Sequence, residues 1–211
     1  VFTDNQLTRC GFYVTRYSRN ISIDTSNKVN GKSARYFESK TAISLVNEQD
    51  IGQLILLGVN QSEFRGLSVS NVKGGTGVLV SDSHNNTFTE ISSTNNGNGT
   101  YIRSSSNNSI AFNRFEFNQE GFFLHHSNNN TVASNSISNN NNTGIHLDTS
   151  GHNRLYNNSF IANGQHAYLF FLPDRNYWNL TVGNYWDNYT ERYPDATNNG
   201  TVWNTPFEVS T

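Results

Sequence analysis

The 211 residues carry 14 basic and 16 acidic side chains, a net charge of −2, only 34% hydrophobic residues and no methionine. Thirty-five are asparagine, while 14 Phe, 10 Tyr and 3 Trp stand against 3 Pro. Disordered chains are short of aromatics and nucleic-acid-binding chains carry basic clusters, so both classes are excluded and an ordered chain with a narrow core remains.

Short apolar runs return about every 22 residues, and helical periodicity is absent. The first element, VFTDNQLTRCGFYV, reads as a turn of this repeat entered part-way: Phe2 takes a core position, Asn5 and Leu7 the next polar and core positions, and Cys10 the closing one. Such an entry implies that a longer chain precedes Val1, or that this end meets a partner. Residues 24–52 hold an irregular turn, and Asn30-Gly31 within NKVNGKSARYF predicts a projecting hairpin. The run QLIL at Gln53, with Phe64, begins the regular turns. They continue as GVLV at Gly77, GTYI at Gly99, GFFL at Gly121 and GIHL at Gly144, spaced 22, 22 and 23. A second anchor, Phe88, Ile110, Val132 and Leu155, keeps the same steps, and Phe115, Ile137 and Phe160 follow the last three five residues later. In the Phe88 turn that later place is held by Ser93, with Ile91 two residues before it. AYLF from Ala167, with Trp178, makes one more turn, so turns are expected over 1–183. Residues 184–211 lose the period and gain Tyr185, Trp186, Tyr189, Tyr193, Trp203 and Phe207, the composition of a C-terminal cap.

Three short strands fit into 22 residues, whereas two helices do not. Stacked turns of this kind form three parallel sheets, an all-β right-handed parallel β-helix. The asparagines then fall into columns: Asn86, Asn108, Asn130, Asn153; Asn113, Asn135, Asn158; and Asn96, Asn118, Asn140, Asn163. Amides stacked at strand spacing both donate and accept, so these columns are expected to be structural hydrogen-bonded ladders.

The repeats, the segment IDTSNKVNGKSARYF followed by GQLILLGVN, and the closing GNYWDNY with NTPFEV resemble the NosD-like and carbohydrate-binding/sugar-hydrolase (CASH) β-helix group, found in cell-surface proteins of methanogenic archaea. The resemblance covers essentially the whole chain and implies a cell-surface location. Between GNYW and the final TP, members often carry an acidic, glycine-rich run reminiscent of a calcium loop. Here that interval reads DNYTERYPDATNNGTVWN, which offers no basis for a calcium site. The expected role is a non-catalytic extracellular module, structural or carbohydrate-contacting, with surface polysaccharide, other envelope subunits or its own copies as partners.

Strand alternation turns Ile55, Leu79, Tyr101, Phe123, His146 and Tyr168 or Leu169 outward, with Ser81, Arg103, His125 and Asp148 beside them. A ligand platform, a protein contact and a face covered internally all fit such a stripe. Asp82 and Asp148, three turns or roughly 14 Å apart, are too distant for paired-carboxylate hydrolysis. Glu90, Glu116 and Glu120 do not converge with them, and Arg103, His125 and Asp148 suit either a lyase group or an ion ladder. The NosD resemblance also raises copper. His125 and His126 alternate to opposite faces, which leaves His125 and His146 as a diagonal pair, so no metal, cofactor or catalytic set is expected. Of the eleven N-x-S/T sequons, Asn20, Asn60, Asn179, Asn188 and Asn199 are the glycosylation candidates. Cys10 is either a buried stand-in for a ladder amide or an intermolecular link. No run is long enough for membrane insertion.

Overall fold

The computed structural model describes residues 1–18, 21–171, 174–179, 182–199 and 204–209. Stacked turns form a parallel β-helix with three faces. The large sheet holds Lys32–Glu38, Gln53–Leu57, Thr76–Ser81, Asn98–Arg103, Glu120–His125, Thr143–Asp148 and Gln165–Phe170 in that order. A second sheet runs from Ser68–Ser70 through Ser92–Thr94, Arg114–Glu116, Ser136–Ser138 and Ser159–Ile161 to Tyr185–Trp186. The third runs from Ser44–Val46 through Glu63–Arg65, Thr87–Thr89, Ser109–Ala111 and Thr131–Ala133 to Arg154–Tyr156. Register follows the sequence period: Val78, Thr100, Phe122, Ile145 and Ala167 lie in line, as do Phe88, Ile110, Val132 and Leu155. Ser93 takes the place aligned with Phe115, fully buried, and Ile91 is buried beside it.

The corners explain the composition. Each regular turn has four residues in the left-handed region, such as Ser104, Asn107, Phe112 and Phe117 (φ 47, 59, 58 and 55°). Asparagine tolerates this region best, whereas phenylalanine there costs energy. In the regular turns an inward residue follows each corner and, in most cases, bonds the next turn. The Asn86 column runs amide to amide through Asn108, Asn130 and Asn153 to Asn176 at 3.0–3.1 Å. The Asn113 column continues through Asn135 and Asn158 to Asn184. In the third column the Asn96 N–H donates to Asn118, which is linked through Asn140 to Asn163. A fourth ladder, absent from the expectation, is made by serines: the backbone N–H groups of Ser83, Ser105 and Ser127 donate to the hydroxyls of Ser105, Ser127 and Ser150.

The N-terminal segment departs from the expected turn. Phe2 is 43% exposed instead of internal, and Cys10 is exposed rather than a buried ladder substitute. Asn5 does bond Asn27 at 2.8 Å, and Gln6–Leu7 pairs with Lys28–Val29. Asn30 and Gly31 (φ 51 and 79°) form the tight turn that joins Val29 to Lys32. The hairpin does not project, because its second strand is the first long strand of the large sheet. The segments 8–18 and 21–27 instead lie across the outside of that sheet: Phe12, Val14, Ile21 and Ile23, with Val29 at its edge, pack on Ile55, Leu57, Leu79 and Tyr101 as a second hydrophobic cluster. The Gln53 amide holds this strap by accepting from the Phe12 N–H (2.8 Å) and donating to the Phe12 carbonyl (2.9 Å). At the other end Trp186 stacks between Phe160 and Phe207, with Tyr189 and Tyr193 around them. Trp203 lies outside the described residues.

Candidate functional site

The outward stripe divides in two. Leu79 (1% exposed) and Tyr101 (8%) lie under the strap, so Leu79 is core and not a ligand or partner surface. Phe123, His146 and Tyr168 continue the column half-buried, and Tyr168, not Leu169, holds its last place. In-register strands stack the rings on one another: Tyr101 on Phe123 (4.8 Å, 16°) and Phe123 on His146 (4.2 Å, 7°). Their faces are used up within the column and ring edges point outward, which leaves no flat surface there for a sugar ring.

Polar groups gather around this column. The His125 ring lies between Tyr101 Oη (2.9 Å from Nδ1) and Asp148 Oδ2 (3.5 Å from Nε2). Asp148 thus favours a proton on Nε2, and Nδ1 accepts from the Tyr101 hydroxyl. Burial, followed by Tyr13, pushes Tyr101 up to about 12, so it stays protonated. Burial, followed by His126, lowers His125, against the pull of Asp148. Arg103 is the neighbouring rung. His126 does not point to the opposite face: its left-handed corner (φ 49°) swings its ring to 4.2 Å from His125. Glu120 also converges on the stripe, 3.5 Å from His146 Nδ1.

Beside the column a shallow, open groove of about 310 Å³ crosses four turns, lined by Lys73, Gly74, Gly75, Gly97, Asn98, Gln119, Glu120 and Asn142. The hydrogen-bond register puts Thr76, Asn98, Glu120 and Thr143 in one row. Three of the lining residues are glycines, and at Gly97 the turns come so close that a Cβ would lie 2.6 Å from the Gly75 carbonyl oxygen. The period marks this row in the sequence, but no local motif marks a groove.

Of the glycosylation candidates, Asn179 and Asn199 are exposed, Asn188 is half-buried, Asn60 accepts from the His84 N–H, and Asn20 lies outside the described residues. In the repeats the sequon asparagines Asn85, Asn107 and Asn129 are exposed corners, each one residue before a buried rung.

A family model described as periplasmic copper-binding protein (NosD) matches residues 3–191. The chain belongs to the NosD family. Among curated proteins nothing matches. A crystal structure of a point mutant of the periplasmic alginate epimerase AlgG is similar with a TM-score of 0.54 and 23% identity, over 65% of this chain and 36% of that one. At that identity the likeness concerns the fold, and this NosD-family chain spans about a third of the AlgG length. Two further AlgG structures give TM-scores of 0.40 and 0.41, at 19% and 17% identity, over 68% and 78% of this chain and 40% and 42% of theirs. No helix among the described residues is long and apolar enough to cross a membrane.

The family description raises copper, and the donor set does not fit it. Both His125 nitrogens are engaged, and His146, whose ring nitrogens are buried, is stacked on Phe123. Soft donors are lacking as well: the chain has no methionine and its one cysteine is exposed on the N-terminal segment. No three His, Cys, Asp or Glu groups among the described residues come together to hold a metal.

At the cap, the His166 ring nitrogen Nε2 lies 2.8 Å from Asp187. Burial lowers its pKa more than Asp187 raises it, and His125 is shifted the same way. The unfolded chain therefore takes up protons first as the pH falls. Stability from these groups is complete above about pH 6.5, the unfolded value, and is lost as the pH drops below it toward their folded values. The thermal midpoint, followed by tryptophan fluorescence, is expected to fall between pH 7.5 and 5, with a shallower fall in His166→Gln. An unchanged slope in the variant would remove His166 from this account.

Proposed function

We propose that this NosD-family chain is a non-catalytic module acting outside the cytoplasm, a rigid β-helix whose large sheet holds a polysaccharide in the groove beside the ring column. The observation that carries the reading is the composition of that groove: amides from Asn98, Gln119 and Asn142 and the charges of Lys73 and Glu120, set on a glycine floor along the stack. Convergent donors and acceptors around an elongated trough suit hydroxyl-rich chains. The periplasmic description of the family supports the location.

Affinity electrophoresis through gels containing neutral or anionic polysaccharides tests it. Retardation is expected in at least one gel and is lost when Lys73, Asn98 and Gln119 are all changed to Ala. No retardation in any gel, together with assembly into sheets or filaments, would replace this reading with a purely structural one.

A second reading is proton transfer on a polysaccharide, favoured by the Tyr101–His125–Asp148 chain with Arg103 alongside. Turnover of a uronic-acid polymer that disappears in His125→Ala or Arg103→Ala would establish it over the non-catalytic one.

A further inference from the structure

Resting on the glycan reading, we infer that the groove takes an uncharged, extended glycan laid parallel to the stack, with one sugar on each of four consecutive turns. The groove lining repeats with the turns. Gly75, Gly97, Gln119 and Asn142 precede the row Thr76, Asn98, Glu120 and Thr143, whose members are hydrogen-bonded neighbours in the large sheet. The backbone keeps this row tight: the Asn98 N–H donates to the Gly75 carbonyl, Glu120 to Gly97, and Asn142 to Gln119.

Parallel neighbours lie about 4.8 Å apart. That rise is close to the advance of one sugar in an extended, equatorially linked chain, so such a chain meets an equivalent set of groups at every residue. A coiled, axially linked glycan loses register after one or two. The backbone of Gly75 and Gly97 lines the first two turns of the trough, and the amides of Asn98, Gln119 and Asn142 border the rest. At the N-terminal end the strap closes the trough, its Arg9 carbonyl accepting from the Gly74 N–H at 3.0 Å.

The charge pattern selects against acidic glycans. Lys73 and Glu120 are the two charges in the lining and have opposite sign. A carboxylate on each sugar would face one cation and one anion along four turns.

The test is calorimetric titration of the full chain with cello-oligosaccharides and chito-oligosaccharides of two to six sugars, and with oligomannuronate of the same lengths. Kd is expected to fall about fivefold per added sugar as each new hydrogen bond forms, up to four sugars, and then to level off. Oligomannuronate of four sugars should bind at least about tenfold more weakly than its neutral counterpart. Asn142→Ala, an exposed change, should raise the four-sugar Kd to that of three. Binding that is independent of length beyond two sugars, or tighter for the anionic series, overturns the one-sugar-per-turn arrangement and leaves the glycan reading standing. Failure of every oligomer, with no retardation in the polysaccharide gels, overturns the glycan reading itself.

Discussion

Asn135→Ala is expected to cost about 4 kcal/mol, a large share of the stability of an ordinary domain. The Asn135 amide nitrogen donates to Asn158 Oδ1 and to the Ile110 carbonyl, both at 2.9 Å. Its oxygen accepts from the Asn113 backbone N–H at 2.9 Å and from the Asn113 amide at 3.0 Å. The site is buried, so no water replaces the lost partner, and each stranded group costs roughly 1–3 kcal/mol. The comparison is Asn107→Gly. That asparagine is an exposed corner with φ 59°, where glycine is at ease, and the change should stay within about 0.5 kcal/mol. Urea unfolding followed by circular dichroism measures both; equal effects would mean that the ladders contribute nothing special.

Gly99→Ala is the second large effect, at upwards of about 3 kcal/mol. A Cβ there would sit 2.4 Å from the Gly121 carbonyl oxygen and 2.8 Å from the Asn118 amide nitrogen. The first contact is backbone, so relief requires prising one turn from the next and stretching the ladder with it. Two other glycines grade the result. At Gly31 nothing lies within 4 Å but φ is 79°, so alanine pays only the left-handed penalty of roughly 1 kcal/mol. At Gly183 nothing lies within 4 Å and no positive φ applies, and alanine should be neutral. The order Gly99, Gly31, Gly183 in thermal midpoint loss is the expected outcome; a Gly99→Ala midpoint equal to that of Gly183→Ala would contradict the tight column.

These two cases also mark what the sequence discloses. The positions of Gly77, Gly99, Gly121 and Gly144, and of the ladder asparagines, are legible because a stacked architecture must repeat its sequence wherever identical contacts recur. The serine ladder at Ser83, Ser105, Ser127 and Ser150 obeys the same spacing and was equally readable. The strap was not. Phe12, Val14, Ile21 and Ile23 alternate as any strand would, and alternation says that one side is buried without saying against which surface. Within the site, the residues were visible and their arrangement was not. His126 meets His125 because a corner falls between strand and turn, and Glu120 reaches His146 through its side chain. The edge-on presentation of the Tyr101, Phe123 and His146 rings depends on side-chain torsions that residue type leaves free. The groove gathers Lys73, Asn98, Gln119 and Asn142 from four turns, and no single turn discloses it.

The ladders also give the molecule a polarity. In every asparagine column the amide N–H of one turn points to the oxygen of the turn on its C-terminal side, from Asn86 toward Asn176, from Asn113 toward Asn184 and from Asn118 toward Asn163. A duplicated turn spliced between Asn108 and Asn130 would find an acceptor on one side and a donor on the other, and the rod would lengthen without a seam. Two such rods brought together by like ends would set donor against donor, or oxygen against oxygen, at three corners at once. Lengthening is therefore a one-way operation, head to tail, imposed by side-chain dipoles as firmly as by the direction of the backbone.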